Sequence, residues 1–277
     1  ARLDQRSAAV MLAIVAAAFV MALALLLSLA SALKAAPLLS AEATATLSDA
    51  AAATAQPQAA DRRPLLIDGE KLDFDIYYGA LPAGHASLEV KSDATADGAI
   101  YRITSQARSN TLVSVFFTVD DRAVSEIDAA TCAPRNFEKR ISEGSFKKQV
   151  TVRYDSDGSV EAGDETFRVE PGTRDILSAL YYVRGQDLHV GEDVIVRTFE
   201  NGKCYRARVR VLGREKVSTH RGDYQCLVVE PEITEGIFAK AGRVFIYLTD
   251  DALKVPVLVK SKVKIGSFVA ELVGQND

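Results

Sequence analysis

Residues 194–211 read VIVRTFENGKCYRARVRV, and this stretch decides the fold class. Val194, Val196 and Thr198 share one parity and lead into Asn201-Gly202, the dipeptide that favours a two-residue turn between antiparallel strands. The returning run has the same period, with Tyr205, Ala207, Val209 and Val211 on one face. Because side chains two positions apart face the same side of a strand, the stretch predicts a half-buried β-hairpin.

The same period-two alternation recurs along the chain. It is present at 74–78, 86–90, 101–107 and 150–154, and further strands are predicted at 227–230, 244–248, 255–264 and 267–272. Most of these strands are joined by short turns, which favours local antiparallel pairing. We therefore expect a mainly β fold, in which a curved antiparallel sheet forms either an open half-barrel or a closed barrel.

One segment has the period of a helix. In residues 173–184 the apolar positions are 176, 177, 180 and 183, and Thr173 or Asp175 is suited to cap the start. This pattern predicts a short amphipathic helix that ends at Gly185, packed into the concave side of the sheet or over its mouth. Residues 109–117 are ambiguous between a second short helix and a strand.

The N-terminal region differs from the rest of the chain. Residues 7–33 contain no charged side chain, and as a helix they would be about 40 Å long, enough to cross a membrane. We expect a cytoplasmic stub over 1–6 and a transmembrane anchor over 7–34, with the remainder in the periplasm because Arg2 and Arg6 precede the span. The alternative is a signal peptide cleaved near Ala30-Ser31-Ala32, which would leave a periplasmic protein.

Two further segments follow the anchor. Residues 35–64 are rich in Ala, Thr, Ser, Gln and Pro and predict a flexible linker, whereas 65–277 predicts one β-rich domain. The net charge of -4 and the pI near 5.6 do not suggest a nucleic-acid-binding protein.

No catalytic or metal-binding pattern is apparent. His85, His189 and His220 lie in separate segments, and the chain has no nucleophile elbow, phosphate-binding glycine loop or C-x-x-C motif. We expect no catalytic residues, no metal and no cofactor. Cys204 and Cys226 could form a disulfide if the strand register allows, and the alternative is that all three cysteines are free thiols.

Two basic rows are predicted on strand faces. Arg206, Arg208 and Arg210 alternate with apolar residues in one strand, and Lys260, Lys262 and Lys264 alternate with Val and Ser in another. Each row could contact an anionic headgroup, a polysaccharide or an acidic partner, or it could be a solvated outer face.

Four stretches carry a resemblance to a known family. They are YYGALPAG at 77–84, VSEID at 124–128 leading to Pro134, DILSALYYVR at 175–184 and LTDDALKVPV at 248–257. Together they resemble the domain of unknown function 3108 family of exported bacterial envelope proteins. The resemblance implies export and an unassigned activity, and it supplies no catalytic residues. A tryptophan common near the late strand of the family is replaced here by Ile246-Tyr247-Leu248.

The concave face of the sheet separates the functional hypotheses. Its predicted lining residues are Ile176, Leu177, Leu180, Val150, Val152, Val209 and Val211. If they leave a cavity, the chain is expected to be a non-enzymatic envelope protein that binds a lipid or other amphipathic ligand. An envelope scaffold that uses the basic outer face, with another envelope protein as partner, is the alternative, and a glycan or cell-wall hydrolase ranks third.

Overall fold

The computed structural model describes residues 63–232, 243–263 and 266–276. The predicted anchor over 7–34 and nearly all of the predicted linker lie outside these residues. Within the described ranges, no helix has the length and apolar character needed to cross a membrane.

The described chain forms one antiparallel sheet of 14 strands, which confirms the mainly β prediction. Each strand pairs with the strands before and after it in the sequence, except that β8 and β9 do not pair with each other. Strand β1 pairs with β14 as well as with β2, so β8 and β9 are the edge strands. The strands are β1 Lys71–Tyr78, β2 Leu81–Thr95, β3 Gly98–Ser109, β4 Asp120–Asp128, β5 Pro134–Glu143, β6 Phe146–Tyr154, β7 Ser159–Ala162, β8 Glu165–Arg168, β9 Asp193–Glu200, β10 Lys203–Thr219, β11 Gly222–Glu232, β12 Arg243–Thr249, β13 Pro256–Val263 and β14 Gly266–Gln275.

Local sequence signals explain the turns and helices. Asn201 and Gly202 have φ values of 48° and 75°, as a two-residue turn of the predicted type requires. The ambiguous segment contains a short helix, α1, at Thr111–Ser114. The predicted amphipathic helix is present as α2 at Ile176–Gly185, with Asp175 as its N-cap.

The sheet is rolled, and its two edges overlap instead of pairing as strands. Phe167 on β8 packs against Phe199 on β9 with ring centroids 5.2 Å apart. Beyond β8 the chain touches β9 through one parallel bridge, in which Arg174 N donates to Arg197 O at 2.9 Å and Phe199 N donates to Arg174 O at 3.0 Å. The architecture is therefore barrel-like with an open seam between β8 and β9.

Helix α2 lies on the concave side of the roll, which is one of the two placements that the sequence predicted. Leu177 and Tyr181 belong to the larger apolar cluster of the inner face, whereas Ala179 and Val183 pack into a second cluster. The helix therefore packs apolar side chains against two clusters, and these contacts connect different parts of the sheet.

The exposure of the inner face differs from strand to strand. We call the end where β1 begins the upper end, and the end with the β1–β2 turn the lower end. On β1 the exposed fraction rises from 0% at Leu72 to 2% at Phe74 and 7% at Ile76, and Tyr78 is half-buried. Other inner-face residues near the lower end remain buried, among them Ile141 at 2% and Phe268 at 1%, so this increase in exposure is confined to particular strands.

The outer face is also partly covered, which the sequence did not predict. The distal part of the β10–β11 hairpin, residues 213–228, forms an outer arm. His220 at its tip contacts Glu271 on β14, with Nδ1 and Oε1 2.6 Å apart. Val228, Tyr247 and Leu258 lie on the outer face of their strands, yet all three are buried.

Candidate functional site

The structure places the seven predicted lining residues on or against the inner face, but most are covered by protein. Leu177, Val152, Val209 and Val211 are buried, whereas Ile176, Leu180 and Val150 are half-buried. Helix α2 therefore takes up much of the space that the sequence left open for a ligand. The three half-buried side chains are the predicted lining residues that remain partly accessible, Val150 on β6 and the other two on α2.

A group of ionisable side chains lies beside Val150. We call Asp121, Lys139, Glu143 and Glu200 the polar inner cluster. Lys139 lies on the inner face between the buried Phe137 and Ile141, directly opposite Val150 in the β5–β6 register. Asp121 lies opposite the buried Ala107 and is itself buried. These strands thus direct charged groups toward the interior.

Lys139 and Glu200 form an ion pair across the roll. The Nζ–Oε1 distance is 3.4 Å, and the two side chains are 4% and 12% exposed. Burial lowers the pKa of Lys139 to about 8 and raises the pKa of Glu200 to about 7, and the attraction within the pair opposes both shifts. The pair therefore joins β5 to the edge strand β9 and can exchange protons near neutral pH.

Asp121 and Glu143 form a carboxyl pair beside it. Asp121 Oδ1 accepts from Ser142 N at 2.6 Å, but Asp121 Oδ2 and Glu143 Oε1 meet no donor among the described residues. Burial, together with the nearby Asp121 charge, raises the pKa of Glu143 to about 7. Because two carboxylates repel each other, a proton held between them stabilises the pair.

This pair gives a pH-dependent prediction. The folded protein retains a proton on Glu143 between about pH 4.5 and pH 7, where the unfolded chain has released it, so stability should fall as pH rises through this window. Relative to the Glu143→Gln variant, the wild type should lose about 1–3 kcal/mol of unfolding free energy between pH 5 and pH 8.

Chemical denaturation of both proteins at the two pH values measures this difference. Glu138→Gln, on the outer face of the same strand, serves as the control and should leave the pH dependence unchanged. A pH profile that is the same for wild type and Glu143→Gln would contradict the shared proton.

The N-terminus of α2 lies near the same region. Asp175 is buried and accepts from Ser125 Oγ on β4 at 2.7 Å. The Tyr154 hydroxyl on β6 is buried without a partner among the described residues, and burial, then the charges of Asp175 and Glu200, raise its pKa. Unpartnered buried oxygens of this kind are usually satisfied by water or a ligand.

The carboxyl pair does not have the geometry of a glycoside hydrolase. Such enzymes hold their two carboxyl groups about 5–9 Å apart on either side of the sugar. Asp121 and Glu143 instead hydrogen-bond to each other when Glu143 is protonated, and Asp121 is buried. The pair therefore does not favour the hydrolase hypothesis.

The predicted arginine row is on the outer face of β10, and its charges are paired. Arg206 contacts Glu170 at 3.1 Å, Arg208 contacts Asp193 at 3.5 Å and Arg210 contacts Glu232 at 2.7 Å. These carboxylates reduce the positive potential that the sequence alone suggested.

The lysine row is separated from the arginine row by β11 and β12. Lys260 Nζ lies 4.8 Å from the centre of the Tyr247 ring, and Lys262 is exposed. Lys264 lies outside the described residues. The two predicted rows therefore do not form one continuous basic surface in the described part of the chain.

The predicted disulfide between Cys204 and Cys226 is wrong. All three cysteines are free thiols, and the register separates this pair. Cys204 lies opposite Phe199 near the start of β10, whereas Cys226 lies opposite Glu215 near the other end of that strand. Residues this far apart along a strand are beyond the Cα separation of about 7 Å that a disulfide tolerates.

Sequence reasoning missed the polar inner cluster, although part of its signal was present. In residues 137–141, FEKRI, Lys139 has the same parity as Phe137 and Ile141, so alternation places a charge on the buried face. Such a position is a signal for a buried ion pair. Its partner Glu200 is 61 residues away in the sequence, and no local pattern connects the two.

A known structure shares the architecture. A beta-barrel-like protein of the domain of unknown function DUF1849 from Brucella abortus matches with a TM-score of 0.51 and 12% identity, covering 76% of this chain and 98% of that one. A DUF1089 family protein from Pseudomonas aeruginosa matches with a TM-score of 0.39 and 14% identity, covering 63% and 88%. At this identity the first likeness shows the fold alone. No curated protein matches the sequence.

The family assignment is more direct. The family described as protein of unknown function (DUF3108) matches residues 73–273, which include almost the whole rolled sheet and helix α2. This span contains all four stretches on which the sequence resemblance depends. The chain therefore belongs to the DUF3108 family.

Proposed function

We propose that this chain is a non-enzymatic envelope protein that binds an acyl-chain amphiphile with an anionic head group at the lower inner face. In this proposal residues 7–34 anchor the chain in the inner membrane, or serve as a cleaved signal, and the β domain lies in the periplasm. The amphiphile would place its chain against Val150, Ile176 and Leu180, and its head group beside the polar inner cluster.

The single observation that carries the proposal is the change in accessibility along the inner face of β6. Val152 is buried, Val150 and Lys148 are half-buried, and Phe146 at the lower end is 37% exposed. On β6, apolar and charged side chains therefore follow one another along an inner surface whose exposure increases toward the lower end. An amphipathic ligand needs an apolar surface for its chain next to charged groups for its head group.

Lys148 is the residue that favours a negatively charged head group. It lies opposite the buried Ile141 and so faces inward, and its charge opposes the rise that burial causes in the pKa of Glu200, although no carboxylate of the described residues lies within ion-pair distance of it. It is close enough to lower the pKa of Lys139 by charge repulsion, although burial is the larger cause of that shift. A carboxylate or phosphate between these two cations would relieve the repulsion and accept charge-assisted hydrogen bonds.

Photo-crosslinking tests the proposal with the full chain in lipid vesicles. A fatty acid that carries a diazirine on its chain is the probe, and peptide mass spectrometry locates the adducts. We expect adducts on the inner face of β5, β6 and α2. Lys148→Met should lower their yield about tenfold at sub-saturating probe, because one charge-assisted hydrogen bond contributes about 1.5–3 kcal/mol.

The neighbouring residue provides the control. Lys147 lies opposite Ser142 on the outer face and is exposed, so Lys147→Met changes the protein charge equally without altering the inner face. Its adduct yield should equal that of the wild type. Adducts only on the outer surface, or equal losses for the two variants, would overturn the proposal.

The interaction-module hypothesis has less support. It needs a basic outer face, and the three arginines of β10 already contact carboxylates of this chain. An envelope-protein partner for this face remains a proposal that charge reversal of Arg206, Arg208 and Arg210 would test.

A further inference from the structure

Four large apolar side chains project from the lower end of the sheet. Leu81, Leu112, Val115 and Phe116, which we call the apolar rim, are 67%, 71%, 75% and 72% exposed. Exposed apolar groups are common singly, but a group of this size at one place marks an interaction surface.

Hydrogen bonds hold the turns of the lower end together. Asn110 N donates to Ala83 O at 3.0 Å, and Asn110 Nδ2 donates to Pro82 O at 2.8 Å. On the other side, Gly144 N donates to Thr118 O at 2.8 Å. The β1–β2 turn, the segment that contains α1 and the β5–β6 turn therefore form one continuous end of the domain.

Helix α1 fixes the direction of the rim side chains. Asn110 caps it by accepting from Val113 N at 2.9 Å, and Val113 packs against the inner apolar cluster. Leu112, Val115 and Phe116 are spaced three and four residues apart, so they lie on the opposite side of this turn and point away from the domain. The exposure of these three side chains is therefore fixed by the hydrogen bonds and packing that hold the backbone of α1 in place.

Charge distribution around the rim favours a lipid surface. Residues 109–119 and 76–84 contain no Asp, Glu, Lys or Arg. Just above the rim, the outer faces of β3 to β6 carry Arg108, Arg122, Arg140 and Lys147. The nearby acidic residues on these faces are Glu138 and Asp120, and Asp120 pairs with Arg108 and Arg140. An apolar end beneath a belt with excess positive charge complements an anionic bilayer.

The length of the preceding chain fits this arrangement. Strand β1 has 8 residues and spans about 26 Å between the start of the sheet and the lower end. The predicted linker of about thirty residues has an r.m.s. reach of about 30 Å as a flexible coil. It can therefore connect a membrane anchor to the upper end while the rim rests on the same bilayer.

We infer that the apolar rim inserts into the interface of an anionic phospholipid bilayer, giving the domain a membrane contact separate from the N-terminal segment. This contact does not depend on the proposed ligand. The side chains would enter the boundary between head groups and acyl chains, to a depth of about 5–10 Å.

Tryptophan fluorescence tests the inference, because the chain contains no Trp. The full chain with Phe116→Trp is placed in vesicles of phosphatidylglycerol and phosphatidylcholine, with and without bromine on the acyl chains. We expect a blue-shifted emission and a loss of roughly half of the intensity to bromine, since the ring would lie at the quencher depth. Leu112→Trp provides a second reporter and should behave in the same way.

Ile195→Trp is the matched control. Ile195 is 52% exposed on the outer face of β9, away from the rim, so a reporter there should remain unquenched in the same vesicles. Equal quenching at 116 and 195, or no quenching at 116 and 112, would overturn the inference. A blue shift without quenching that grows with protein density would assign the rim to a second copy and would also overturn it.

Discussion

Replacing Arg184 by alanine should lower the free energy of unfolding by about 3–5 kcal/mol, because the change leaves a buried carboxylate without its cation. Arg184 is fully buried and forms a two-pronged ion pair with Glu70, at 2.7 Å and 2.6 Å. The same guanidinium donates to the carbonyl oxygens of Leu253 and Lys254, each at 3.1 Å. One side chain thus joins α2 to the start of β1 and to the β12–β13 turn.

Denaturation by urea measures this loss. Arg184→Lys keeps the charge but lacks the planar fork, so its stability should lie between those of the wild type and the alanine variant. Arg206→Ala is the control, since Arg206 and Glu170 are 67% and 56% exposed and an exposed pair contributes little. Equal losses for Arg184→Ala and Arg206→Ala would show that Arg184 does not hold these elements together.

Replacing Asp175 by alanine should have the second largest effect, about 2–4 kcal/mol. Asp175 accepts from the backbone N–H groups of Leu177 and Ser178 at 2.9 Å and 3.0 Å, and from the hydroxyls of Ser125 and Ser178 at 2.7 Å each. Alanine removes the helix cap and leaves the two backbone N–H groups and the Ser125 hydroxyl without this acceptor, whereas the Ser178 hydroxyl can still donate to the carbonyl oxygen of residue 175. Thermal or urea unfolding measures the change.

Two variants distinguish the contribution of helix capping from that of the buried hydrogen bonds to β4. Asp175→Asn retains one oxygen for the backbone N–H groups and should lose less stability than the alanine variant. Asn110→Ala removes the cap of the exposed helix α1 and should cost only about 1 kcal/mol. If Asp175→Ala lowered the free energy of unfolding no more than Asn110→Ala, the hydrogen bond between α2 and β4 would not contribute to stability.

Asp175 and Arg184 connect three of the four stretches that carry the family resemblance. Asp175 and Arg184 lie at the two ends of DILSALYYVR, and their partners Ser125 and the Leu253–Lys254 carbonyls lie within two of the other stretches. The stretches are thus bonded to one another where α2 meets the sheet. In this chain they hold the fold together.

The local elements could be predicted because their signals are local. Alternation between Val194 and Val211, the Asn201-Gly202 turn and the helical period of 176–183 each need only neighbouring residues. The structure confirms the hairpin and the helix, because their preferred conformations agree with the global fold. The short span of 109–117 gave no clear period, and tertiary contacts at Asn110 and Val113 select a helix there.

The long-range arrangement could not be predicted in the same way. Glu70 and Arg184 are 114 residues apart, and only the rolling of the sheet brings them together. The outer arm likewise buries Val228 and Tyr247 on a face that alternation alone leaves exposed. The error at Cys204 and Cys226 has the same origin, because strand register depends on pairing along the whole hairpin.

The two proposed sites lie at the same end of the domain. The inner face of β6 is most exposed near the lower end, and the apolar rim lies at that end on the β1–β2 and β3–β4 turns. If both proposals hold, an amphiphile could pass between the bilayer and the inner face without crossing bulk water. The polar inner cluster would then receive the head group, and its protonation near neutral pH would make binding depend on pH.

Hydrogen–deuterium exchange gives the most direct test of ligand binding at the lower inner face. The full chain in vesicles is compared with and without a saturating fatty acid. We expect slower exchange at residues 139–150 and around Glu200, with no change at residues 214–226 of the outer arm. Unchanged exchange at 139–150, or protection confined to the outer arm, would contradict the account.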